Sequence, residues 1–213
     1  MEHEFKYIIF DWDGTVMDSA AKIVACMQRA AILSGLPKPS KKEVENIIGI
    51  SLKPAIQILF SIDSIKADEV TTHYKETFLN EDTTACPLFP HAESTLLALQ
   101  QKARLAVATG KARRGLDRAF SLTNTKHFFE LSRCADEAES KPSSDMLLQI
   151  LAQWQVSAEE VLMVGDTTYD MQMAENIGMP RVAVSYGVHD AQDLQKHSPL
   201  KLIDCFSELL DFV

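Results

Sequence analysis

The chain has 213 residues, 46% hydrophobic and 24% charged, an ordinary globular composition that excludes disordered and collagen-like classes. Apolar runs such as 105–108 and 161–164 fall far short of the ~20 residues that span a bilayer. A net charge of -9 argues against a nucleic-acid backbone or an anionic membrane as the main partner. It leaves room for a small anionic substrate where a metal ion and local cations reverse the potential.

Residues 1–6 are charged and lead into a short apolar run that stops at acidic residues, unlike a secretory signal, so a cytoplasmic protein is expected. Tyr7–Phe10 reads as a buried strand delivering Asp11 at its C-terminal end. From about residue 18 to residue 85 nothing resembles such a strand. The spacing predicts helices over 20–34 ending at Gly35, 41–48 ending at Gly49, Leu52–Phe60, and 66–81. A stretch this long cannot be a bare loop, because loops beyond about 12–15 residues without structure are uncommon in compact domains. It is expected to be a helical domain, 17–85, inserted after the first strand of a core made of 1–16 and 86–213. Pro87 and Pro90 mark the return.

Beyond them, 92–102 has helical spacing that groups Leu96, Leu97 and Leu99. A second strand, 105–108, ends in Thr109-Gly110-Lys111. Ser143 or Ser144 can cap a helix carrying Met146, Leu147, Ile150 and Leu151. A third strand, 161–164, ends in Gly165-Asp166, and a helix closing at Ala174, Ile177 and Gly178 precedes a fourth, 182–184. Apolar strands alternating with amphipathic helices predict a Rossmann-like α/β core, a parallel sheet covered on both faces. Ligands of such sheets bind at the carboxyl ends of the strands, where the polar residues fall here. Cys26, Cys86, Cys134 and Cys205 are far apart and read as small apolar residues kept reduced.

Asp11-Trp12-Asp13-Gly14-Thr15 puts two carboxylates where a strand enters a turn, and Asp166 and Asp170 share a face if a helix starts after Gly165. Carboxylates crowded at neighbouring strand ends need a positive counterpart, and Mg²⁺ suits such oxygen ligands. With the phosphoryl oxygens neutralised, Asp11 can act as a nucleophile on phosphorus and Asp13 as general acid and base. Thr109, Lys141 and nearby backbone N–H groups can stabilise the transferring group.

Four motifs in order, Asp11 to Thr15 with Asp18, Thr109, Lys141 followed by Pro142, and Gly165 to Asp170, resemble those of the haloacid dehalogenase superfamily in its phosphoglycolate phosphatase-like branch. The resemblance spans nearly the whole chain. It implies that Asp11 is nucleophile and metal ligand, and that Asp13 is the acid–base residue with a carbonyl on Mg²⁺. It implies further that Thr109 and the N–H of Gly110 bind phosphate, and that Lys141 pairs with both nucleophile and phosphoryl group. Asp166 would ligate the metal with Asp170 in support, and the helical insertion would be a mobile cap. Trp12 stands where the family commonly has a smaller side chain and is expected to alter packing beneath the cap. The carboxylate of Asp13, which the superfamily's dehalogenases lack, favours phosphoryl transfer.

Some features keep two readings. Lys111, Arg113 and Arg114 are either a solvated helix start, at odds with the helix dipole, or a cluster whose Lys111 faces the substrate's distal anion. Gly49 to Lys53 is a plain helix connection or a substrate-specificity loop. His189 is structural or borders the pocket. The expected activity is hydrolysis of a small phosphorylated metabolite by a monomer or weak dimer. The alternatives are a mutase of the β-phosphoglucomutase type and a catalytically silent phosphate-binding regulatory protein.

Overall fold

The computed structural model describes residues 4–213, so the first three residues of the predicted core segment 1–16 lie outside it. Six strands form one parallel sheet: β1 (Tyr7–Phe10), β2 (Arg104–Thr109), β3 (Leu131–Cys134), β4 (Val161–Gly165), β5 (Arg181–Val184) and β6 (Lys201–Ile203). Their order, β3-β2-β1-β4-β5-β6, makes β1 central, with Ile8 opposite Leu105 on one side and Leu162 on the other. The direction of winding reverses between β1 and β4, the crevice position where such sheets bind ligands.

Alternate strand residues feed two cores. Ile8 and Phe10 join Leu105, Val107, Leu162 and Val164 on one face, while Ile9 joins Ala106, Ala108, Val161 and Met163 on the other. The helices are α1 (Ala20–Leu33), α2 (Lys41–Glu45), α3 (Leu52–Phe60), α4 (Ser64–Glu76), α5 (Ala92–Leu99), α6 (Arg113–Thr123), α7 (Asp145–Trp154), α8 (Thr168–Glu175) and α9 (Ala191–Gln195). Leu96 and Leu99 of α5 and Leu116 and Phe120 of α6 cover the first face; α7 and Met173 and Ala174 of α8 cover the second. This double cover is why the strands are apolar on both sides.

Between β1 and β2 the chain is helical, α1 to α4, and a π-helical turn, Thr77–Glu81, extends α4. These helices bury Ile23, Met27, Val44, Ile56 and Val70 in a cluster of their own, which Val188 also joins. No helix among the described residues is long and apolar enough to cross a membrane. All four cysteines are free, Cys26 and Cys134 buried, Cys86 and Cys205 half-buried.

Candidate active site

Asp11 follows β1 directly, and its N–H donates to the carbonyl of Val164 on β4 at 2.9 Å, so the ladder carries one residue past the strand and pins Asp11 at the carboxyl end of the sheet. The chain then turns back, the Trp12 carbonyl accepting from Val16 and Met17 N–H groups at 3.0 Å. Gly14 is required in that turn: its φ is +84°, and a methyl group there would lie 2.1 Å from Asp166 Oδ2.

Asp11, Asp166 and Asp170 are buried, with one carboxylate oxygen of each within 4.8 Å of the others. Lys141, equally buried, places Nζ 2.8 Å from Asp11 Oδ1 and 2.6 Å from Asp170 Oδ1. Asp170 Oδ2 accepts from the N–H (3.1 Å) and hydroxyl (2.7 Å) of Thr167, the cap of α8. Asp166 accepts from the Thr15 hydroxyl on Oδ1 and the Val188 N–H on Oδ2, both at 2.9 Å. Asp11 Oδ2 is buried with no hydrogen-bond partner.

Three carboxylates against one ammonium leave the site short of positive charge. Burial, and next the charge of Asp170, hold the Asp11 carboxyl well above the usual carboxylate range although Lys141 pulls it down. The same two causes push Asp166 up to about 7 against the hydrogen bonds from Val188 and Thr15. Burial disfavours the charged form of Lys141, but Asp11 and Asp170 outweigh it and raise its pKa. A hard divalent cation fits this set: all donors are oxygens, one buried carboxylate oxygen is orphaned, and burial raises the pKa of Asp11 and Asp166 beyond what Lys141 offsets.

Asp13 lies beside this cluster, its carboxylate outside the three. Its Oδ1 accepts from the Ser19 hydroxyl and lies 2.9 Å from Lys111 Nζ. Ser19 sits at the N-cap position of α1 without capping it, so an ordinary helix-start residue is diverted to the site. Asp18, which the motif includes, is exposed, and its backbone N–H donates to Pro87. Thr109 is buried at the end of β2, its Oγ1 accepting from the N–H of Lys111 at 3.1 Å. The helices between β1 and β2 lie over these strand ends. A methyl group on Gly110 would stand 2.5 Å from the Gly49 carbonyl oxygen; the Ser51 N–H donates to Ser140 Oγ at 2.9 Å, and the Tyr169 hydroxyl donates to the Asn46 carbonyl at 2.8 Å.

The sequence profile of haloacid dehalogenase-like hydrolases matches residues 8–184. The chain belongs to this family. It is 30% identical to "Probable phosphatase IndB" of Dickeya dadantii over 95% of its own length and 91% of the relative's. It is 28% identical to the phosphoglycolate phosphatase of Vibrio cholerae, over 98% and 96%. The structure of a haloacid dehalogenase-like family hydrolase from Streptococcus pneumoniae superimposes with a TM-score of 0.84 at 25% identity, covering 97% of both chains.

Within this haloacid dehalogenase-like hydrolase, one expectation needs correction and three open readings gain detail. Trp12 does not pack beneath the helical insertion. It points into the sheet's own core, edge-on to Phe120 and Phe129, because residues 8, 10 and 12 share one face. Arg113 needs no substrate anion: it makes a bidentate pair with Glu137 (2.9 and 2.8 Å) and bonds to Ser132, while Arg114 is exposed. Of the segment Gly49 to Lys53, the glycine end contacts the core, whereas Lys53 turns away to Asp68 at 2.7 Å. His189 accepts from the Thr168 N–H at 3.0 Å beside a cavity lined also by Tyr169 and Asp190, and burial lowers its pKa. Sequence reasoning missed Thr15 and Ser19 as carboxylate partners; both are hydroxyl residues beside a motif aspartate, and that proximity is the signal that could have found them.

Proposed function

We propose that this hydrolase is a Mg²⁺-dependent phosphatase that cleaves a small, phosphoglycolate-like phosphomonoester through an aspartyl-phosphate on Asp11. The observation that carries the reading is Asp11 itself: buried, 2.8 Å from Lys141, and keeping one carboxylate oxygen free of protein partners. That oxygen attacks phosphorus as the bond to the leaving oxygen breaks, and Asp13 gives the leaving oxygen its proton. Asp13 then takes a proton from the water that attacks the aspartyl-phosphate, which releases inorganic phosphate and restores Asp11. Thr109, the N–H of Gly110 and Lys141 bind the phosphoryl oxygens. Asp11, the Asp13 carbonyl and Asp166, with Asp170 in support, would hold Mg²⁺, whose charge would offset repulsion between the carboxylate and the phosphoryl group. The segment 17–85 acts as a cap on the core 1–16 and 86–213, and its contacts at Gly110, Ser140 and Tyr169 exclude water while the ester is bound.

Purified protein is expected to release phosphate from p-nitrophenyl phosphate with Mg²⁺, to stop in EDTA, and to lose turnover by at least about 10³-fold in Asp11→Asn. Substantial turnover in that variant removes the nucleophile assignment. Free phosphate, not an isomerised hexose phosphate, separates hydrolysis from mutase chemistry.

A further inference from the structure

Two lysines crowd one aromatic ring, and one of them pairs with Asp13 of the site. Phe78, on the π-helical turn after α4, has Lys22 Nζ of α1 4.9 Å from its ring centroid and Lys111 Nζ 5.4 Å from it. Both side chains are largely withdrawn from solvent, 13% and 15% exposed. A π-helical turn is rare and tends to occur where function needs a side chain displaced from the regular path; here it carries Phe78. Tyr74, one turn before, lies tilted against Phe78 with centroids 5.8 Å apart, and desolvation, then the Asp13 charge, raises its hydroxyl pKa.

Each cation has one carboxylate partner, distant for Lys22 and shared with the chemistry for Lys111. Lys22 donates to the Asp82 carbonyl at 2.7 Å and has that residue's carboxylate only at 3.8 Å. Lys111 has Asp13, 2.9 Å away, the carboxylate that must serve the leaving oxygen during turnover. Lys141 is committed to Asp11 and Asp170 and cannot serve here. Two ammonium groups thus stand around one ring, one of them paired with the acid–base carboxylate, an arrangement suited to receiving a second anion.

We infer that Lys22, with Lys111 and Phe78, forms a subsite for a negative group on the leaving-group side of the substrate, and that Lys22 is its specificity-determining residue. This rests on the phosphatase reading and narrows it. The substrate is a short ester whose alcohol portion bears its own carboxylate or phosphate, close to the ester oxygen because Lys111 touches the residue that protonates that oxygen. Lys22 belongs to the helical insertion and Lys111 to the β2 end, so the subsite is complete only when the two are apposed. Esters of neutral alcohols fill the phosphoryl site and leave both lysines unanswered.

The test compares 2-phosphoglycolate with ethyl phosphate, which differ in the leaving-group carboxylate. Wild type should favour 2-phosphoglycolate in kcat/KM, and Lys22→Met should lower the ratio of the two kcat/KM values by about 10- to 100-fold. Lys22→Arg should restore most of it, and circular dichroism with thermal melts checks that both variants fold. Equal losses for the two esters in Lys22→Met, or no preference in wild type, overturn the subsite. Absence of turnover with either ester overturns the phosphatase reading instead. Calorimetric binding of the same two esters to wild type and Lys22→Met then decides the subsite alone, a loss confined to 2-phosphoglycolate supporting it and equal or absent losses overturning it.

Discussion

Asp11 stands in an environment that penalises its own charge. Burial and the neighbouring Asp170 and Asp166 raise its pKa, and only Lys141 opposes them. Replacing this ionisable group should therefore stabilise the metal-free fold, which then neither buries a charge nor takes up a proton there, as it removes activity, a common trade at reactive centres. Asp11→Asn is expected to melt roughly 2–4 °C higher than wild type in EDTA, by thermal denaturation. A lower melting temperature would mean that the Asp11–Lys141 contact outweighs desolvation. Lys141→Ala does the reverse, leaving Asp11 and Asp170 without their shared cation, and should cost about 3 kcal/mol in urea denaturation along with turnover.

At the scale of elements, the insertion touches the core through backbone, so a single added methyl group can disturb it. In Gly110→Ala the new carbon would lie 2.5 Å from the Gly49 carbonyl oxygen and 2.9 Å from both the Gly49 carbonyl carbon and the Ile50 carbonyl oxygen, none of which can rotate away as a side chain would. The 49–51 segment must lift. KM should rise several-fold while the melting temperature moves little, and amide exchange should quicken at Ser51, whose N–H donates to Ser140. Unchanged kinetics and exchange would remove the docking role of this contact. What could be read from sequence follows the same physics. β1, β2, β4 and β5 are apolar on both faces and were legible; β3 and β6 are edge strands, one carrying Ser132 and Arg133 and the other only three residues long, and they were not. The predicted helix 66–81 begins earlier, at Ser64, because Asp63 caps it by accepting from the Lys66 N–H, and no glycine or proline announces its π-helical end. The acidic residues of the site were legible because carboxylates at buried strand ends demand an explanation. Ser19, Lys22 and Phe78 were not, since each lies in or beside a helix whose spacing does not say what it will face.

Across the whole molecule, the protonation of the buried carboxylates is linked to stability and to the binding of any cation they would hold. Asp166 has its pKa raised to about 7 from an ordinary 3.8, so between those values the folded protein holds a proton that the unfolded chain releases. Stability of the metal-free protein from this group is thus greatest at low pH and falls as pH rises through that window. Asp11, raised by the same burial, acts in the same direction. A cation that binds these carboxylates must displace their protons, so its affinity grows with pH, and it stabilises the fold by RT ln(1 + [L]/Kd). The rise in melting temperature caused by Mg²⁺ over EDTA should therefore be larger at about pH 8 than at about pH 6, where protons compete. Asp166→Asn should shrink the rise at both pH values. An equal Mg²⁺ shift at both pH values in the wild type would detach the cation from the buried cluster of Asp11, Asp166 and Asp170.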